Sequence, residues 1–297
     1  MVDYKKVLKN QNLRFKILNM LSWVPDRTMV KIQYFIKTGR KLNLKNPRRF
    51  TEKLQKYKLE YRDPMMKQCA DKYEVREYVR SKGLGSILND LYGVYDNANE
   101  IDFDRLPNKF VIKTTAGTGG QNVLICVDKK KIDREEIKKK LDIWMKYIPK
   151  KSYGREWVYE GERNKIIVEK YIESKGSSLI DYKFFCFEGK VKYIYVIMDR
   201  DLGNSARLAI YDKQFNKLNC YRRDEERLIR RIEKPKNFNE MIKISEKLAA
   251  DFPHVRVDLY NNNGKVLFGE LTFFDGSGYM SFEPDSFDYD MGKEFLI

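Results

Sequence analysis

The stretch VRVDLYNNNGKVLFGELTFF, residues 255–274, decides the fold. Two runs of alternating apolar residues flank Asn263-Gly264, a strong short-range signal for a hairpin. Alternation places Arg256 and Asp258 on one face of the first strand and Glu270 and Thr272 on one face of the second. The hairpin then brings Asp258 to Glu270. Two carboxylates among apolar neighbours repel and are costly to desolvate unless something binds them. Magnesium is the economical partner, because it takes oxygen ligands and keeps phosphate oxygens and waters. The plainer reading is a hairpin with two solvated acids.

Working outward, FVIKTTAGTGGQNV (110–123) reads as two strands closed by a glycine-rich turn. Lys113 precedes Thr115, Gly117, Gly119 and Gly120. This is not a P-loop, because the lysine comes first and no GK[ST] follows. It is not GxGxxG either, since the glycines run into a strand. What remains is a flexible hairpin over phosphates, where glycines let backbone N–H groups approach oxygen. A tight hairpin with a surface lysine reads equally well. In IIVEKYIE (166–173) an apolar strand ends in Glu169-Lys170, as in a hinge whose main chain pairs with a base edge; an ordinary edge strand fits too.

The 297 residues include four scattered cysteines without CxxC spacing, which read as buried free thiols. His254 is the single histidine. Two-histidine zinc sites are excluded, and acid, base and metal chemistry must come from Asp, Glu, Lys and Arg. The net charge is +16, unevenly spread: residues 1–60 hold 16 Lys/Arg against 4 Asp/Glu, and residues 251–297 hold 3 against 9. A basic end suits an acidic partner or surface, and an acidic end suits a divalent metal. No secretory signal or membrane-spanning run is present, so a cytoplasmic protein is expected, with a place at the inner membrane face left open.

Residues 4–36 mix apolar and basic residues at helical spacing, broken by Pro25 and closed by Gly39; they read as helices packed on a domain or as a membrane-surface arm. Helices are predicted from Asn46-Pro47 through RRFTEKLQKYKLEY, over 71–83, 133–148 and 239–252. Strands are predicted over 88–96, 165–173, 181–189, 190–201 and 206–212. Strands and helices interleave without a strict βαβ rhythm, which predicts an α+β fold.

In this order, NPRRFTEKLQ, ADKYEVREYV, FVIKTTAGTGG, VEKYI, DYKFFCFEG and VRVDLY…FGELTFFDGSG resemble the TupA-like ATP-grasp family of bacterial surface-polysaccharide gene clusters. The resemblance runs from about residue 40 onward. It implies an ATP-grasp fold, two α+β subdomains sandwiching ATP, at 71–297 (glycine-loop part about 105–172, metal-binding part about 173–297), behind a basic helical segment, 1–70. It implies that Lys72 and Lys113 hold ATP phosphates, with Thr115, Gly117, Gly119 and Gly120 in the loop over them. Glu169, Lys170 and Ile172 would frame adenine and Asp181 the ribose. Arg256 would stabilise the transferring phosphoryl group. Asp258 and Glu270 would bind one or two Mg2+ ions, with Thr272 standing where many ATP-grasp ligases have Asn. The implied activity is ATP-dependent carboxylate–amine ligation through an acylphosphate. The partners implied are an anionic sugar or glycan and an amine or amino acid; the basic N-terminal segment, read from its own residues, suits peripheral contact with membrane or a lipid-linked glycan.

Two other enzymes fit parts of the sequence. Asp199-Arg200-Asp201 is a DxD that would suit a glycosyltransferase, but it leaves Lys113 and the late carboxylates unexplained. A sugar or lipid kinase would use the same ATP site and make a phosphoester. Nucleic-acid binding is disfavoured, because the aromatic residues lie in alternating strands and no recognition motif is present.

Overall fold

The computed structural model describes residues 11–115, 122–146, 151–161, 164–173, 179–198 and 206–297. Gly117, Gly119, Gly120, Asp199 and Asp201 lie outside them. The chain begins with two basic helices, α1 (Gln11–Met20) and α2 (Asp26–Thr38). Pro25 starts α2, and Gly39 ends it in the left-handed region with φ 72°. Three shorter helices follow: α3 (Phe50–Glu60), α4 (Pro64–Ala70) and α5 (Val75–Ser81). The α4 helix was not predicted; Asp63 caps it and Pro64 occupies its first position.

The first sheet has the order β1-β4-β2-β3, from β1 (Leu91–Tyr95), β2 (Phe110–Thr114), β3 (Val123–Cys126) and β4 (Ile166–Lys170). All its pairings are antiparallel. Period-two alternation gives it an inner face of Phe110, Ile112, Ile166 and Val168, which packs with Ile137 and Leu141 of α6 (Arg134–Lys146). The opposite face carries Val111, Lys113, Ile167 and Glu169.

The second sheet has the order β11-β10-β5-β6-β7-β9. Its long members are β5 (Asp181–Phe187), β6 (Lys190–Met198), β7 (Arg207–Asp212), β10 (His254–Asn262) and β11 (Lys265–Thr272). A short β8 (Tyr221–Arg222) pairs with β12 (Phe282–Glu283), and β9 spans Glu226–Arg227. The predicted hairpin is present: Asn263 and Gly264 take φ 53° and 89°, the positive pair that a two-residue turn matched to strand twist requires. One face of the sheet buries Phe184, Val255, Val257 and Leu259 with Phe238, Met241 and Leu248 of α7 (Phe238–Ala249). On the other, Phe50, Leu54 and Tyr57 of α3 share a core with Phe185, Phe187, and Met291 of α8 (Ser286–Glu294). All four cysteines are buried and free, as the sequence predicts.

Candidate functional site

Strand register builds the first half of the site. Asp258 lies opposite Glu270 on β11 and opposite Lys183 on β5, and Arg256 lies opposite Thr272. The side chains form one charge network. The Lys183 ammonium donates to Asp181 at 3.0 Å and also to Asp258. Arg256 donates through Nε and one terminal nitrogen to both oxygens of Asp258, each at 2.7 Å. That same terminal nitrogen reaches Glu270 at 3.2 Å and the Thr272 hydroxyl at 3.0 Å, and the other donates to Asp275. Asp275 also accepts from Arg222 at 3.2 Å.

This corrects one expectation. The two carboxylates do not face each other uncompensated; Arg256 lies between them, with Lys183 behind. Burial alone would raise the Asp258 pKa, but Arg256 and Lys183 hold it below the ordinary carboxylate value. Burial and Arg256 work against the Lys183 charge, yet Asp181, Asp258 and Glu270 keep its pKa above the usual lysine value. Asp181 is thus an ion-pair partner of Lys183 here and 3% exposed.

Lys113 is likewise already partnered, not awaiting an anion: its ammonium donates to Glu169 at 2.7 Å. Arg76 on α5 reaches the other Glu169 oxygen at 3.4 Å. Lys170 points outward to Asp90 at 2.9 Å, and Ile172 is half-buried beyond the strand end. Lys72 sits in the turn before α5 rather than within the helix. Its ammonium lies 3.4 Å from the Thr115 carbonyl of the first sheet. Burial lowers its pKa, and Glu270 of the second sheet is the leading opposing influence, followed by Lys113 pushing it down again. Lys72 therefore lies against the Thr115 carbonyl beyond β2 and within electrostatic reach of Glu270 on β11.

The donor types, two carboxylates and a hydroxyl with the Glu270 side chain 43% exposed, suit a hard cation, but Arg256 engages all three here, so a cation would have to displace it. Among the described residues no three acidic or soft ligands converge. A metal held here would therefore draw other ligands from phosphate or water, which is how magnesium is usually held.

Sequence reading missed Lys183, Asp275 and Arg222. A signal existed for Lys183, a charge at an inward position of the apolar strand DYKFFCF. It also missed the support under the site. Asp275 opens a turn, 275–278, that α3 grips from below. Gln55 donates to the carbonyls of Ser277 at 3.0 Å and Gly278 at 2.7 Å. The wholly buried Lys58 donates to Ser277 at 2.9 Å and Gly154 at 2.7 Å. Burial lowers the Lys58 pKa to about 7, against the pull of nearby Glu156, whose own carboxyl burial pushes up.

The family described as TupA-like ATPgrasp matches residues 52–296. Among solved structures, D-alanine–D-alanine ligase of Bacillus anthracis complexed with ATP is 18% identical with a TM-score of 0.42 over 70% of this chain and 57% of that one. A second structure of a B. anthracis D-alanine–D-alanine ligase is 20% identical, TM-score 0.45, over 78% and 69%. N5-carboxyaminoimidazole synthase from Aspergillus clavatus, in complex with ADP and its ribonucleotide, is 11% identical, TM-score 0.42, over 77% and 52%. This chain thus spans between about half and two-thirds of the length of these proteins. No curated protein matches it.

Proposed function

The chain belongs to the TupA-like ATP-grasp family, and on that premise we propose that it is an ATP-dependent ligase joining a carboxylate to an amine on a bacterial surface polysaccharide or its precursor. The supporting observation is the position of Lys72, against the Thr115 carbonyl of one sheet and within reach of Glu270 on the other. Lys72 thereby links the Lys113 end of the first sheet to the Asp258/Glu270 pair of the second, which supports the reading.

In this reading Lys72 and Lys113 bind the phosphates. A triphosphate carries more charge than one carboxylate, so Lys113 exchanges Glu169 for it and Arg76 keeps Glu169 paired. Glu169, Lys170 and Ile172 frame the base; Asp181 reaches the ribose only by leaving Lys183, its buried partner. Asp258, Glu270 and Thr272 would hold magnesium, which neutralises phosphate charge when bound. Arg256 lies where the transferring phosphoryl group gathers charge, and stabilising that charge requires no nucleophilic side chain. The substrate carboxylate oxygen attacks the γ-phosphorus and ADP leaves. The amine nitrogen then attacks the acylphosphate carbonyl, loses a proton and expels phosphate. Uronic acids supply the carboxylate and amino acids the amine; an acidic glycan also suits the basic N-terminal segment.

The test is ADP release with uronic acids crossed against amino acids, with the product identified by mass. An amide supports the proposal, whereas a phosphoester identifies a kinase instead. Lys113→Ala should weaken Mg-ATP binding roughly 10- to 150-fold, the worth of one charge-assisted contact. Absence of Mg-ATP binding at millimolar nucleotide overturns the reading.

A further inference from the structure

The α1–α2 arm presents a surface that the site chemistry does not use. The inner side of α2 is buried: Met29, Val30, Gln33, Tyr34 and Thr38 face the body. Gln33 donates to the Tyr153 carbonyl at 2.8 Å, and Tyr34 shares a 2.9 Å hydrogen bond with Thr51. The outer side carries Ile32, Phe35 and Ile36, 46%, 59% and 50% exposed. Ile17 and Met20 of α1 and Trp23 just after it are exposed as well, Trp23 by 78%. Of fifteen exposed large apolar side chains among the described residues, six lie between residues 17 and 36. Leu13 lies one turn before Ile17, and Ile32, Phe35 and Ile36 share one face of α2 at i, i+3, i+4 spacing, so that face is an apolar patch rather than a single exposed side chain.

The patch is held rigidly. Buried Arg155 donates to the carbonyls of Leu21 at 2.7 Å and Val24 at 3.1 Å and to Asp26 at 3.0 Å. The α1–α2 junction is thereby fastened to the body with Trp23 turned outward. The arm's own charge is basic, although Arg40 and Arg49 are spent on Asp285 and Arg27 lies 3.7 Å from Glu60. Residues 11–49 contain ten Lys/Arg and a single acid, Asp26. Asp26 is neutralised from within by Lys151 and Arg155. Lys16, Arg27, Lys31, Lys41 and Lys45 are exposed.

From this combination we propose that the arm seats the protein on an anionic phospholipid bilayer, with Trp23, Phe35 and their apolar neighbours at the headgroup–acyl boundary and the basic side chains among the headgroups. A second copy of the chain is a poor occupant, because it would bring the exposed Lys16, Lys31, Lys41 and Lys45 against the same four lysines. A soluble polyanion would satisfy the charge but leave the apolar side chains in water. A bilayer takes both. No helix among the described residues is long and apolar enough to cross a membrane, so the contact is peripheral. The proposal rests on the arm alone and stands apart from the ligase reading.

The test is co-sedimentation of the full chain with vesicles of phosphatidylcholine and of equal parts phosphatidylcholine and phosphatidylglycerol, at low and high salt. Binding to the anionic vesicles should exceed that to neutral ones by roughly tenfold or more and weaken with salt. Trp23→Gln with Phe35→Gln, both at exposed positions, should remove most of it. Equal binding to both vesicle types, or none, overturns the proposal. So does a double variant that binds like the parent, since charge alone would then account for the effect. Lipid-free self-association that the double variant abolishes would assign the patch to a second copy.

Discussion

Replacing Asp258 with asparagine should destabilise the fold by roughly 3 kcal/mol, the lower end of the cost of removing one partner from a buried ion pair. Asp258 is 2% exposed and serves two cations, Lys183 and Arg256. The value falls at the lower end because neither cation is left alone. Lys183 keeps Asp181, and Arg256 keeps Asp275 and Glu270. Glu270→Gln is the control. Its side chain is 43% exposed and meets Arg256 at 3.2 Å, so solvent screening limits the loss to about 1 kcal/mol or less. Urea unfolding at pH 7 reads both as midpoint shifts at constant slope. The pH dependence follows from the lowered Asp258 pKa. Its stabilisation is complete above the unfolded carboxylate value and is lost as pH falls through the lower folded value, so the two proteins converge only in strong acid. An Asp258→Asn variant as stable as the parent, or more so, would mean that carboxylate repulsion outweighs the counter-ion role and would refute the reasoning.

His254 donates through Nδ1 to the Cys186 carbonyl at 2.8 Å, its Nε2 has no hydrogen-bond partner, and burial lowers its pKa to about 4. The folded state keeps it neutral, so stability is full above the unfolded value near 6.5 and declines by about 3 kcal/mol in total as pH falls through 4. His254→Phe should flatten the stability curve between pH 6.5 and 4; an unchanged slope would locate the titration elsewhere. Lys58→Met should cost about 1–3 kcal/mol, because the Gly154 carbonyl loses its buried donor while Ser277 keeps only Gln55. A urea midpoint like that of the parent would show that these carbonyls find other donors.

The hairpin at 255–274 was legible because local chemistry dictates it. Asn263-Gly264 specifies the turn and fixes the register as far as Leu259 opposite Phe268; a bulge at Gly269, which the sequence reading did not anticipate, then shifts it by one residue and sets Asp258 opposite Glu270. The β2–β3 pairing around Lys113 was legible for the same reason. What fills the space between such strands was not. Arg256 is on the same strand face as Asp258, yet its reach to Glu270, Thr272 and Asp275 is a three-dimensional fact. Lys183 arrives from β5, some 75 residues earlier, and Glu169 claims Lys113 across 56 residues. Lys183 and Glu169 are counter-ions brought by non-local strands, and Asp275 comes from the turn after β11. The alternation rule names the face of the sheet and not the charge that will meet it.

The grip of α3 on the far end of the chain has a consequence for biosynthesis. Phe50 packs edge-on against Phe187 and His254 and beside Phe295, Thr51 donates to Asp288, and Lys53 reaches the carbonyls of Gly292 and Phe295. Apart from Phe187, these partners are translated more than 200 residues after the helix that needs them. At roughly 5–20 residues per second, about 10–50 s separate the emergence of the two segments from the ribosome. Through that interval Phe50, Leu54 and Tyr57 form an apolar stripe without its cover, a natural place for a holding chaperone. The segment 286–295 then acts as the latch that closes the nascent chain, and until it emerges the helix beneath the Asp275 turn cannot be fixed in place.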